Sequence, residues 1–177
     1  MRTVKRYFFL FCCGWVFSAQ SAEVTLANGD RYVGEFTDGA LSGLGTYIWA
    51  GGDRYEGTFA NDRPEGKGVY FWVDGRVYRG DFSAGLRQGR GQLSWPNGDV
   101  YEGMFVNNNM HGVGTFIWAN EDRYRGGFSN NERTGEGVMA WRSGQTYDGG
   151  FRNGELHGQG RYTYADGRQY VGAFTLG

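Results

Sequence analysis

Tyr55-Glu56-Gly57-Thr58-Phe59, followed after a polar stretch by Gly66-Lys67-Gly68-Val69-Tyr70-Phe71-Trp72, is one copy of a unit that fills most of the chain. Tyr-x-Gly-x-Phe begins at Tyr32, Tyr55, Tyr78, Tyr101, Tyr124, Tyr147 and Tyr170, always 23 residues apart. Gly-x-Gly follows at Gly43, Gly66, Gly89, Gly112, Gly135 and Gly158 with the same interval. Alternate residues of a strand face opposite sides, so Tyr55, Gly57 and Phe59 share one face with Gly66, Gly68, Tyr70 and Trp72. Glu56, Thr58, Lys67, Val69 and Phe71 fall on the other. Period 2 in both halves predicts two half-buried strands per unit, and no window carries the helical period.

The connections agree with hairpins. Trp72 is followed by Val73-Asp74-Gly75-Arg76 and Trp95 by Pro96-Asn97-Gly98-Asp99. Asp-Gly and Asn-Gly tolerate positive φ and favour tight turns. Ala60 to Glu65 reads as a longer, six-residue polar loop. Successive hairpins then continue one meander. Glycine weakens an ordinary strand, so its recurrence beside the rings needs a reason: aromatic rings lie over strand glycines. The expected fold is all-β, an elongated single-layer antiparallel β-meander of about seven 23-residue hairpin repeats. It has a lone strand at Val24–Leu26, six hairpins and a lone strand at Tyr170–Phe174. Glu121 replaces the turn glycine in Asn120-Glu121-Asp122, so that turn is expected to differ; Leu93 and Met139 replace the aromatic residue found at Tyr70.

The first 22 residues are of another kind. Arg2, Lys5 and Arg6 precede an apolar run from Tyr7 to Phe17, and small residues follow from Ser18 to Ala22. That order predicts a secretory signal peptide over 1–22, cleaved after Ser21 or Ala22, with the repeat array over 23–177. The run is short for a membrane span. Both cysteines, Cys12 and Cys13, fall within it, so the mature chain carries no thiol. Cleavage removes three of 18 basic residues and none of 19 acidic ones, leaving a net charge of −4. Lys67 is then the only lysine, which argues against nucleic acid as a partner. The localisation expected is periplasmic or extracellular.

The unit resembles the MORN repeat (membrane occupation and recognition nexus). Gly149 to His157 and Gly158-Gln159-Gly160-Arg161-Tyr162 follow that pattern closely, and the resemblance runs over about residues 24–176. It implies an elongated single-layer sheet and a role in membrane contact or in protein assembly. Such arrays also flank the kinase domain of some phosphatidylinositol phosphate kinases, but this sequence has no phosphate loop and no catalytic-loop motif.

No constellation of catalytic residues emerges. Gly-x-Gly lacks the third glycine and the helix that a nucleotide loop needs. His111 and His157, the only histidines, share a loop phase two repeats apart, too distant for one metal. Asp30, Asp53, Asp99 and Asp122 recur beside turns, which favours turn hydrogen bonds over acid–base work. No cofactor, metal or catalytic residue is expected, and the chain reads as a non-enzymatic scaffold for protein–protein interaction or self-association through open sheet edges. The alternative is membrane lipid or glycan binding. The candidate contact residues are the column Trp49, Trp72, Trp95, Trp118 and Trp141 on the aromatic face, with Phe71 on the other face. That second face also carries the alternating column Glu56, Arg79, Glu102, Arg125 and Asp148, read as solvated and self-compensating.

Overall fold

A computed structural model describes residues 3–5 and 20–175, with side chains from Ser21 onward. The expected leader therefore lies largely outside the described residues. The chain divides into two compact units, residues 1–86 and 87–177. In the first, β1 (Thr3–Lys5), β2 (Gln20–Thr25), β3 (Arg31–Thr37), β4 (Ala40–Ile48), β5 (Arg54–Ala60), β6 (Arg63–Phe71) and β7 (Val77–Ser83) pair in sequence order, each antiparallel to the next. In the second, the same rule joins β8 (Leu86–Ser94), β9 (Val100–Val106), β10 (Asn109–Ile117), β11 (Arg123–Ser129), β12 (Glu132–Ala140), β13 (Thr146–Arg152), β14 (Glu155–Thr163) and β15 (Gln169–Phe174). Each unit is a single antiparallel meander. Among the described residues no helix is long and apolar enough to cross a membrane.

A single layer builds its core on one face. Tyr32, Tyr55, Tyr78, Tyr101, Tyr124 and Tyr147 are at most 1% exposed. Tyr55 shows how. Its ring meets its own Phe59 edge-on at 5.0 Å and Phe82 of the next copy at 4.9 Å. Tyr124 repeats this with Phe128 and Phe151 at 5.3 and 4.7 Å. Beneath the Tyr55 ring lie Gly57 and Gly68, which face each other across β5 and β6. A methyl at Gly68 would fall 2.6 Å from Tyr55 Cζ, and one at Gly57 would fall 2.7 Å from Gly68 Cα. These glycines are absences of side chain that let a ring lie flat.

The ring is also held by its hydroxyl. Tyr55 Oη donates to the carbonyl of Thr58 at 3.0 Å, and Tyr101 and Tyr124 donate in the same way to Met104 and Gly127 at 3.0 Å. Those acceptors sit where the ladder breaks. Between Gly57 and Phe59 the register shifts, and Glu65, Gly66 and Lys67 bulge from β6. The first glycine of Gly-x-Gly serves this bulge: Gly66 has φ +67° and Gly135 has φ +65°. It does not lie under a ring as the alternation suggested; only the second glycine does.

The two connections are reversed in length from the sequence expectation. The six-residue loop is a two-residue turn: Asn61 and Asp62, with φ 49° and 65°, join β5 directly to β6. Two successive positive φ values define the hairpin turn whose twist matches the strands. Trp72 to Arg76 forms the longer turn, closed by Trp72 N to Arg76 O and Gly75 N to Trp72 O, both 3.0 Å. Glu121 does not alter its turn: it adopts φ 72° and keeps the bond from its N–H to Trp118 O at 2.9 Å.

Candidate functional site

Each indole of the row Trp49, Trp72, Trp95, Trp118 and Trp141 stands directly after a second strand of the repeat, at the start of the longer turn, and each is half-buried. Part of each indole is therefore accessible on the aromatic face. Between successive indoles the repeat places one further side chain, which in the first unit is a tyrosine. Tyr70 packs against Trp49 at 5.1 Å and Trp72 at 4.5 Å. Its hydroxyl donates to Asp53 Oδ2 at 2.8 Å, while Asp53 Oδ1 accepts the Val73 N–H of the next turn at 2.9 Å. Asp30 is arranged alike, with Tyr47 Oη at 2.6 Å, Asn28 Nδ2 at 2.8 Å and Ala50 N–H at 2.8 Å. The Tyr47 hydroxyl, followed by the Ala50 amide, holds the Asp30 carboxyl below the usual range. Burial first, then the paired carboxylate, raises the Tyr47 and Tyr70 phenols. The recurrent aspartates thus tie one repeat's turn to the next.

In the second unit the slot changes. Phe116 fills the place between Trp95 and Trp118, at 5.4 and 4.6 Å, but offers no hydroxyl to Asp99. Between Trp118 and Trp141 the residue is Met139, buried at 4% exposure. Here lies an open hollow of about 630 Å³, lined by Asp99, Trp118, Asp122, Arg133, Met139 and Trp141 among others. Asp122 keeps two of the three partners found at Asp30: Asn120 Nδ2 at 2.9 Å and the Arg142 N–H at 2.8 Å. The tyrosine hydroxyl is the one it lacks.

Arg133 forms a wall of this hollow. Its guanidinium lies 5.4 Å from the Trp118 ring and 5.5 Å from the Tyr124 and Phe151 rings. It donates to the Gly154 carbonyl and, at 3.8 Å, to the Met139 sulfur. Burial among the rings lowers its pKa. The same repeat position holds Leu41, Pro64, Arg87, Met110 and Leu156. A cation in a mostly apolar column was the signal that pointed to Arg133, and sequence reading passed it over.

Phe71 lies on the opposite face, half-buried under Arg54, whose guanidinium sits 4.2 Å from the ring centroid. Glu56 holds that arginine at 2.7 Å. Arg54 also separates Phe71 from Ile48 in the cross-strand row, while Val77 pairs with Phe71 on its other side. His111 and His157 lie within β10 and β14 and not in loops. Among the described residues no group of three or more His, Cys, Asp or Glu could hold a metal ion.

The MORN repeat family model matches residues 32–54, 55–75, 78–100, 101–123, 124–146 and 147–167. The chain belongs to the MORN repeat family. No curated protein sequence matches it significantly. Among solved structures it is similar to the TCP domain of SAS-4 (dCPAP) of Drosophila melanogaster in complex with a proline-rich motif of Ana2 (dSTIL), at 16% identity over 97% of this chain and 99% of that one, with a TM-score of 0.48. It is similar also to the TCP10 domain of Danio rerio CPAP, at 12% identity over 86% of this chain and 83% of that one, with a TM-score of 0.31. At these scores nothing about the ligands of this MORN chain follows from either.

Proposed function

We propose that this MORN array is a non-enzymatic scaffold, exported to the cell envelope or extracellular space, that binds another protein or itself through its aromatic face. The observation that carries the reading is the hollow between Trp118 and Trp141, where half-buried indoles stand beside an arginine and carboxylates. Aromatic residues with arginine are what protein interfaces use as anchors. The basic start, apolar run and small residues of 1–22 support export.

Mild cross-linking in native cells followed by affinity purification tests the binding. A discrete partner or a cross-linked homo-oligomer is expected, and Trp118→Ala should reduce it. A strictly monomeric chain without cross-linked product contradicts it. Intact mass of the chain recovered from cells tests export: the expected N-terminus is Ala22 or Glu23, and a retained Met1 in the mature pool refutes cleavage.

A second reading, glycan binding, is favoured by the same half-buried indoles lying close to Asp99 and Asp122. A glycan pull-down with Trp141→Ala decides it, since retention unchanged by that substitution removes the indoles from consideration.

A further inference from the structure

We infer that the hollow between Trp118 and Trp141, beside the buried Met139 that stands where other copies carry a ring, takes a tyrosine side chain from a protein partner, whose phenol donates to Asp122. The inference rests on the protein-binding reading and names the chemistry of what is bound.

The repeat supplies its own template. Trp49, Asp53, Tyr70 and Trp72 occupy the same repeat positions as Trp118, Asp122, Met139 and Trp141. In the first set a phenol ring lies 5.1 and 4.5 Å from two indoles and gives its proton to a carboxylate at 2.8 Å. In the second set both indoles and the carboxylate remain, and the ring does not. Methionine is unbranched and flexible, and here its sulfur lies against Arg133 at 3.8 Å, away from any aspartate bond. What is left beside it is the hollow of about 630 Å³.

The other variants of the position show why this slot differs. Phe116 removes the hydroxyl but keeps the ring, at 5.4 and 4.6 Å from its two indoles. Tyr162 keeps the ring, 5.6 Å from Trp141, and has Gln145 where an aspartate would stand. Leu93 also lacks a ring, but Arg76 replaces the aspartate at the matching position. Only Met139 combines a missing ring with a retained aspartate and two tryptophans. Asp122 has capacity for one more donor. Asp30 Oδ2 accepts both Asn28 Nδ2 at 2.8 Å and Tyr47 Oη at 2.6 Å, whereas Asp122 Oδ2 accepts Asn120 Nδ2 at 2.9 Å. An ionised carboxylate accepts several bonds, so the vacancy matches one hydroxyl.

The chemistry selects against close relatives of the phenol. A phenylalanine ring would stack but leave Asp122 as it is. A phosphotyrosine would bring two negative charges against Asp99, Asp122 and Glu155, and of the two nearby arginines Arg142 is already engaged by Glu121. A neutral tyrosine on a neutral or basic segment is the fitting occupant.

The test uses the full mature chain labelled with ¹⁵N, following the indole N–H signals of Trp118 and Trp141 during titration with N-acetyltyrosinamide. Shifts saturating at about 1–10 mM are expected, as befits a ligand this small. N-acetylphenylalaninamide should bind about fivefold more weakly, the worth of one hydrogen bond. Met139→Tyr should abolish the response by filling the slot from within. If that variant does not fold, Asp122→Asn decides: about fivefold weaker binding of the tyrosine amide supports the assignment, and unchanged binding overturns it. The assignment also fails if the two indole signals do not move, if Met139→Tyr binds as well as wild type, or if methyl glucoside shifts them at lower concentration than the tyrosine amide. A protein partner cross-linked equally by wild type and Met139→Tyr would leave the protein-binding reading intact and refute this one.

Discussion

The place between Trp49 and Trp72 is filled by a tyrosine bound to Asp53, and the corresponding place between Trp118 and Trp141 holds a methionine and a hollow. Under both places the second row is the same: Tyr55 lies over Gly57 and Gly68, and Tyr124 lies over Gly126 and Gly137. The difference shows a division of labour within each 23-residue copy. The tyrosine–glycine row closes the sheet and is repeated in every copy. The tryptophan row carries Tyr47, Tyr70, Leu93, Phe116, Met139 and Tyr162 at one repeat position, so its slots differ from copy to copy.

The largest expected effect should not distinguish the two regions. Burial pushes the Tyr32, Tyr55, Tyr101 and Tyr124 phenols up to about 12. A raised folded-state pKa means the stability these groups contribute is complete below about pH 10, where the unfolded phenol also stays protonated. It is lost as pH rises from about 10 toward 12. Circular dichroism should show loss of strand signal across that window. Survival of either unit to pH 12 would break the claim that each is built on the same row of buried tyrosines. Next in size, Gly68→Ala and Gly137→Ala should each cost about 3 kcal/mol by forcing a methyl into a buried tyrosine ring. Gly135→Ala meets open space and carries only the strain of φ +65°, about 1 kcal/mol. Denaturant midpoints compare all three, and an equal cost at Gly135 and Gly137 would contradict the ring-over-glycine account.

Smaller effects sharpen the contrast between the slots. Tyr70→Phe keeps a ring between Trp49 and Trp72 and removes the donor to Asp53, so it should cost about 1 kcal/mol. A larger loss, read by thermal unfolding, would mean the hydroxyl matters more than the ring. Glu121 stands in the turn above the hollow at φ 72°, where the filled slot has Gly52 at φ 98°. Glu121→Gly should gain about 1 kcal/mol, offset in part by loss of the exposed pair with Arg142 at 3.7 Å.

Much of this was legible in the sequence. The strict recurrence of Tyr55-x-Gly57-x-Phe59 placed strands, faces and glycines under rings. The turn lengths were not legible, because residues 65–67 bulge out of the ladder and break the alternation that marks a strand. Polar Asn61, Asp62 and Glu65 then look like one loop. The bond from Tyr55 Oη to Thr58 O was hidden for the same reason, since the bulge is what frees that carbonyl. Met139 was visible as a departure. Its consequence was not, because the slot joins Trp118, Asp122, Arg133 and Trp141 across three strands, and only the register brings them together. Phe71 stood out as an exposed aromatic, but the arginine that covers it comes from the neighbouring strand.

The most direct test of the central claim is the reciprocal exchange, Met139→Tyr and Tyr70→Met, followed by thermal unfolding. Tyr70→Met should empty a slot and lower Tm, by about 4–8 °C for a loss of about 2 kcal/mol. Met139→Tyr should fill one, raise Tm by about 2–4 °C for a gain of about 1 kcal/mol, and place its hydroxyl on Asp122. A Met139→Tyr chain less stable than wild type would contradict the account, because the hollow would then not be a tyrosine's place.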